Sequence, residues 1–333
     1  MSIDYSKYSE YLECPACSGS LDFRSTEIEC KSCATRFEYR DGIPALIYEE
    51  KGAIAVADFL EFYNRPETVQ SMNLRLGRNA ASRRMYLAEK YINRTRPHTY
   101  LELSTGSGIT TRMAIKSGAA LIFSLDISTE LLLNVKHLYG EKVVPILADA
   151  RSIPVKNSSI DFVLNSNLIE HIDLWEKSLI KTLKIAKKYA VISTDTYSLS
   201  SGLNFTSFGS HPAGHLHVFN HFDLKNMISK YGSIEKSFLY TFYAYNYRTD
   251  KANRKKRTDI YGVGKGKKVF PATPPFTLWY TAKGIKKLYL LVQKIYGKIV
   301  NYLFLDLIET DSFFDKFIRK KNYTMASMYI VKK

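Results

Sequence analysis

The chain of 333 residues is long enough for one large domain with a small one attached, or for two of medium size. A hydrophobic fraction of 45%, with 24 Tyr and 18 Phe, excludes an intrinsically disordered chain and provides for a sizeable core. The formal net charge of +16 is concentrated at the end: residues 248–333 hold 20 Lys and Arg against 6 Asp and Glu, and the first 247 residues are close to neutral. Such a segment attracts polyanions, whether RNA, anionic lipid head groups or phosphorylated substrates, or it is a solvated face with no partner.

The N-terminus, MSIDYSKYSEYLE, has no apolar run and no signal-peptide layout, and no stretch approaches the roughly 18 uninterrupted apolar residues of a membrane span. All 4 Cys precede residue 34, so none remains for disulfides elsewhere. These features predict a cytoplasmic protein without a transmembrane segment, peripheral to an anionic membrane surface at most.

Cys14-Pro-Ala-Cys17 and Cys30-Lys-Ser-Cys33 are two Cys-x2-Cys pairs with 12 residues between them. Each pair bends as a knuckle, and two knuckles give the closed tetrahedral thiolate set that structural zinc prefers. The intervening LDFRSTEIE reads as strand, turn, strand. A unit of this size buries little core, so the metal is expected to supply folding free energy. Four thiolates leave no open position, so a Zn2+ here is structural rather than catalytic. With Asp41-Gly42-Ile43-Pro44, this segment resembles the zinc-ribbon family of small activator subunits that partner RNA methyltransferases. Residues 51–97 then read as helical, a linker and lid.

From His98 apolar strands alternate with helical stretches: 98–104, 120–127, 143–150, 160–167 and 189–196. That alternation predicts a parallel sheet covered on both faces, with ligands at the carboxyl ends of its strands. The first strand runs into Glu102-Leu-Ser104-Thr-Gly106-Ser-Gly108, where glycine lets the backbone turn tightly beside a ligand. The second ends at Asp126-Ile127, eighteen residues after Gly108, where a carboxylate can accept both hydroxyls of a ribose. The third ends at Asp149-Ala150, an acceptor beside a backbone N–H. The fourth, Asp161-Phe-Val-Leu-Asn165, leads to Glu170-His171-Ile172.

In order and spacing, E-L-S-T-G-S-G, L-D-I-S, A-D-A-x-x-I-P-V and I-D-F-V…L-I-E-H-I resemble the class I S-adenosylmethionine-dependent methyltransferases, and most of all the group of ubiquinone-biosynthesis-type enzymes. The resemblance covers residues 98–245. It implies that Glu102, Ser104, Gly106 and Gly108 contact the methionine part of S-adenosylmethionine. It further implies that Asp126 holds the ribose, that Asp149 and Ala150 hold the adenine, and that Ile127 and Asn165 belong to the same site. Ser104 stands where that pattern has its first glycine, and serine fits if φ is negative there. A dehydrogenase is disfavoured, because residue 111, a Thr, takes the place of the third glycine of a dinucleotide fingerprint.

Methyl transfer requires the acceptor atom aligned with the methyl–sulfur axis and, for a hydroxyl acceptor, a base. Four of the 7 His fall in SHPAGHLHVFNHF, after the fifth strand. His215 or His217 is the candidate general base, with His171 a further residue of the cleft. The alternative is that these imidazoles only shape a loop. Asn165 and Asn167 end the fourth strand, where acceptors sit.

FLYTFYAYN (238–246) reads as the sixth strand and NYTMASMYIVKK as the last, forming a hairpin at the sheet edge. Between them, a basic loop precedes an amphipathic helix from Lys283 to Ile308, with Lys283, Lys286, Lys287, Lys294 and Lys298 on one face. That helix fits a membrane interface, or packs its apolar face on the core. The expected fold is α/β: a Rossmann-like class I methyltransferase sheet, mostly parallel with an antiparallel last strand. The expected organisation is a zinc ribbon (1–50), a helical linker or lid (51–97), the core (98–246), a basic helical insertion (247–320) and the final strand (321–333). The favoured function is methyl transfer to a sugar, glycan-precursor or other small molecule. The alternatives are an RNA (rRNA or tRNA) base methyltransferase and a non-catalytic cofactor-binding module.

Overall fold

In the computed structural model the described residues are 3–48, 60–61, 63–69, 83–197, 216–217, 219–241 and 324–333. The expected insertion over 247–320, most of the lid segment 51–82 and the candidate base His215 lie outside them.

The N-terminal segment forms a small antiparallel sheet of four strands in chain order: β1 (Leu21–Phe23), β2 (Glu27–Cys30), β3 (Arg36–Arg40) and β4 (Ile43–Pro44). Helix α1 (Arg83–Thr95) leads into β5 (Thr99–Leu103), followed by α2 (Ile109–Lys116), β6 (Leu121–Asp126), α3 (Thr129–Tyr139) and β7 (Val144–Leu147). Then come β8 (Ile160–Ser166), α4 (Trp175–Ile185), β9 (Ala186–Tyr197), the short β10 (Phe219–Asn220), α5 (His221–Ser229), β11 (Ser233–Thr241) and β12 (Thr324–Lys332).

The large sheet has the order β11-β12-β9-β8-β5-β6-β7, with β10 paired to the end of β9. Strands β5 to β9 are mutually parallel, and β12 is antiparallel to both neighbours, so the expected terminal hairpin is present. Strands β5 and β7 are buried at every position, which is why they read as continuous apolar runs rather than alternating ones. The sixth strand starts at Ser233 rather than 238. Its opening residues, SIEKS, lack an apolar run because the strand lies at the sheet's edge, where burial does not select for one.

Alternate residues of each strand serve opposite faces. On one face Tyr100, Ile122, Phe162 and Leu164 pack with Leu87, Tyr91 and Ile92 of α1 and with Ala114 and Val135. On the other, Leu101, Phe123, Val163 and Ile146 pack with Leu179 and Leu183 of α4, and also with Tyr5, Leu12, Leu21, Ile28 and Phe37 of the N-terminal segment. No helix joins β7 to β8, and the ribbon fills that place. Leu12 bridges Val155, Glu13 N donates to Pro154 O (3.1 Å), Lys156 N donates to Tyr11 O (2.8 Å), and the Tyr5 hydroxyl donates to Pro145 O (3.1 Å). Lys181 of α4 closes the contact with an ion pair to Glu13 at 2.6 Å. Ala45 bridges Leu147, covering the β7 edge. The ribbon therefore does not stand on its metal alone; it shares the main core.

Among the described residues, no helix is long and apolar enough to cross a membrane. Helix α5 is anchored by His221, which shares a 2.7 Å hydrogen bond between Nδ1 and Ser327 Oγ and stacks on Tyr329 of β12 at 5.1 Å. Burial, aided by nearby Lys225, pushes this imidazole down to about 3. Because its folded value lies below the unfolded one, its contribution to stability is lost as pH falls below about 6.5, at about 1.4 kcal/mol per unit. Urea unfolding of His221→Gln is expected to lose part of the steep decline that the wild type shows between about pH 6 and about pH 4.

Candidate functional site

The carboxyl ends of β5, β6 and β7 lie side by side, because Leu103 pairs with Leu125 and Asp126 with Leu147. After β5 the chain turns through three left-handed residues, Ser104 (φ 62°), Gly106 (φ 53°) and Gly108 (φ 70°). The condition for serine to fit, a negative φ, is not met at Ser104. The turn must reverse within five residues to start α2, and Ser104 carries the strain a glycine would avoid. At Gly108 glycine is needed twice over: φ is positive, and a Cβ would stand 3.0 Å from both Val135 and Tyr139.

Asp126, at the tip of β6, holds this turn. One carboxylate oxygen accepts from Gly106 N (3.1 Å) and the other from Ser128 N (3.0 Å). Burial raises its pKa, against the opposing effect of these backbone donors. Ser128 caps α3 and donates to Asn64 Oδ1 at 2.7 Å, which brings Asn64 to the end of β6. Glu102 is 5% exposed and accepts hydrogen bonds from Thr110 and from Thr111 (2.6 Å) in the first turn of α2. Desolvation nevertheless pushes it up to about 7.

Asp149 and Ala150 follow β7, both buried, with Ile127 half-buried after β6. Arg151, absent from the sequence expectations, grips Asp149 through Nε (2.9 Å), Nη2 (2.6 Å) and its own backbone N–H (2.8 Å), and reaches Asp173 at 3.5 Å. Both guanidinium nitrogens donate to Oδ2 and the backbone N–H to Oδ1, so Asp149 is fixed while retaining acceptor capacity. Asn165 does not join these groups. Its side chain is fully buried and donates to Thr182 of α4 at 3.1 Å, because position 165 falls on the face of β8 that α4 covers.

Beyond β8 and β9 lies a second group. Glu170, fully buried, accepts from Thr194 Oγ1 at 2.8 Å, and its carbonyl accepts from the backbone of Leu216 and His217. The His217 ring stands 6.1 Å from Trp175 and 6.2 Å from Phe219, and its Nε2 is buried without a hydrogen-bond partner among the described residues. His171 ends a short 3-10 turn in the same loop. The four cysteine sulfurs lie elsewhere, within 4.8 Å of one another, with Cys14–Cys33 at 3.8 Å and Cys17–Cys30 at 3.5 Å. Tetrahedral zinc with bonds of about 2.3 Å sets sulfurs about 3.8 Å apart, so the donor set and its spacing fit a structural zinc ion.

Residues 101–192, which span the glycine turn and the tips of β6 to β8, match the family model of the methyltransferase domain. These residues form a class I S-adenosylmethionine-dependent methyltransferase domain. A segment of 51 residues, 15% of this chain, is 43% identical to a UPF0434 protein of Azoarcus sp. (strain BH72) and covers 82% of it; the methyltransferase thus includes a UPF0434 family segment, consistent with the ribbon. Phosphoethanolamine N-methyltransferase 2 of Haemonchus contortus shares the fold: in complex with phosphomonomethylethanolamine and S-adenosylhomocysteine it aligns with a TM-score of 0.51 at 14% identity, over 84% of this chain and 61% of that one. Its complex with S-adenosyl-L-methionine aligns with a TM-score of 0.49 at 16% identity, over 87% and 61%.

Within the methyltransferase, the sequence singled out the turn, both strand-tip carboxylates and all four cysteines. It missed Arg151 and the roles of Thr110, Thr111 and Thr194, since hydroxyls facing buried carboxylates leave no spacing signature. The left-handed Ser104 gives a direct check. Ser104→Gly is expected to keep or raise stability, by up to about 1 kcal/mol, and Ser104→Val to lower it by about 1–2 kcal/mol in urea unfolding.

Proposed function

We propose that the methyltransferase transfers a methyl group to a small-molecule acceptor of the sugar, glycan-precursor or similar class. The observation that carries this reading is the aromatic cluster beyond the ends of β8 and β9. Trp175 meets Phe219 edge-on at 4.8 Å with His217 alongside, and the backbone of His217 is tied to Glu170, whose buried carboxylate accepts from Thr194. Apolar walls with a few fixed polar groups suit a small ligand. An RNA clamp in the ribbon is disfavoured by charge: residues 3–48 hold five Lys and Arg against eight Asp and Glu. Its arginines are already paired, Arg24 with Asp22, Glu27 and Glu29, Arg36 with Glu27, and Arg40 with Glu38.

Bound S-adenosylmethionine supplies an electrophilic methyl group on a sulfonium. In this reading Gly106 and Gly108 let the backbone approach it, Asp126 accepts the ribose hydroxyls, and Asp149 with Ala150 meets the adenine edge beside Ile127. Glu102 receives the ammonium of the methionine part, and its desolvated carboxylate, without a cationic partner among the described residues, fits that role. His217 takes the acceptor's proton through the unpartnered Nε2.

With Glu102 at about 7 in the ligand-free protein, binding below that pH must first expel its proton. Calorimetric affinity for S-adenosylmethionine is expected to weaken about tenfold per pH unit below 7, and Glu102→Gln to flatten that dependence; a flat wild-type profile sinks the assignment. An acceptor screen with methyl-labelled cofactor tests the second half. His217→Ala should lower kcat about 10²–10⁴-fold at unchanged cofactor affinity. Labelling confined to RNA, with steeply salt-dependent binding, would replace the small-molecule reading.

A further inference from the structure

Arg151 joins two loops that the sheet keeps apart. Asp149 follows β7 and Asp173 follows β8, and β5 and β6 lie between those strands. At about 4.8 Å per strand the two tips stand roughly 14 Å apart. One guanidinium nevertheless meets both carboxylates. Its Nε and Nη2 lie 2.9 and 2.6 Å from Asp149 Oδ2, and its Nη1 lies 3.5 Å from Asp173 Oδ1. The side chains of Arg151 and Asp149 are each 7% exposed and that of Asp173 is 15% exposed. Water screens such a group weakly, so a change of charge at one carboxylate is felt at the other.

The two carboxylates serve different parts of the molecule. Asp149 meets the adenine edge in the reading given above. Asp173 Oδ1 also accepts from Leu174 N (3.0 Å), and Leu174 is the residue from which α4 starts, with no side-chain cap of its own. The first residue of that helix is Trp175, which stands against Phe219 and His217. Arg151 therefore grips the adenine end with three hydrogen bonds and, through Asp173, the start of the helix that carries Trp175. A clamp that served Asp149 alone is complete without Nη1.

The grip is uneven. Ion pairs of this kind close to about 2.7–2.9 Å, so the Asp149 side is fully made and the 3.5 Å Asp173 side has room to shorten. The amino group of an adenine is a further donor to Asp149. It shares that carboxylate's charge and weakens its pull on the guanidinium, which is then drawn toward Asp173. We propose that Arg151 is a positioning residue that couples occupancy of the adenine subsite to the seating of Trp175, so that the cofactor prepares the acceptor side. This rests on the cofactor placement given above. The contact that differs between the two states is the Arg151–Asp173 pair, and by reciprocity an acceptor held at Trp175 tightens the cofactor in turn.

The chain has two tryptophans, Trp175 and Trp279, so Trp279→Phe leaves Trp175 as the one indole reporter. S-adenosylhomocysteine is titrated into that full-length parent and followed by calorimetry and by Trp175 emission. Emission should change with the same midpoint as the heat. Asp173→Asn keeps the side chain's shape and the clamp on Asp149. It should hold the affinity within about fivefold, the low end of ordinary coupling, and lose most of the emission change, with the spectrum before ligand addition unaltered. Arg151→Lys, a point charge that cannot fork between two carboxylates, should lose the emission change as well and weaken binding further. An emission change that survives in both variants shows that ligand reaches Trp175 without this relay and overturns the proposal. Heat without any emission change in the parent does the same. Loss of response with Trp175 already exposed and red-shifted before ligand is added assigns Asp173 a structural role, and also overturns it. If Asp173→Asn does not fold, Arg151→Lys decides alone. No heat in the parent fails at the cofactor placement itself, and the coupling falls with it.

Discussion

The site is organised around two carboxylates, Glu102 and Asp126, taken out of water at the tips of adjacent parallel strands. Burial raises the pKa of both, and each is held in place by donors the fold provides: Thr110 and Thr111 for Glu102, Gly106 and Ser128 for Asp126. Those same bonds fix the left-handed turn and the starts of α2 and α3. The two carboxylates therefore also hold the loop between β5 and α2. A strained Ser104 is tolerated because the surrounding bonds over-determine its conformation.

The ribbon solves a packing problem for the rest of the chain. A parallel sheet needs cover on both faces, and the crossover from β7 to β8 supplies none. Tyr8 and Tyr11 stand edge-on or tilted against Phe123 at 5.8 and 5.5 Å, and Leu12 and Phe37 join the same apolar cluster. The zinc knuckles hold together a unit whose outer surface is a web of ion pairs and whose inner surface is core.

The aromatic cluster beyond β8 and β9 is placed by backbone as much as by side chains. Asn167 takes a left-handed conformation (φ 51°) as β8 ends and donates to Ser193 O at 2.8 Å, turning the chain so that Glu170 returns beneath it. The Glu170 carbonyl then receives the backbone of Leu216 and His217, which brings a residue some fifty positions away to the same loop. His221, four residues further, is spent on holding α5 to β12 and is unsuited to proton transfer near neutral pH.

Several features were fixed by local chemistry and so were readable from the sequence. Two Cys-x2-Cys pairs converge on one metal whatever lies around them, apolar runs between turn residues make buried parallel strands, and carboxylates at strand ends fall where such sheets bind ligands. Other features depend on which surfaces meet. Nothing in the sequence marked Arg151 as the clamp on Asp149, or Asn165 as turned toward α4. Periodicity records which face of an element a residue occupies, but only tertiary packing decides what stands opposite that face, and hence whether a buried charge is paired, solvated or left for a ligand.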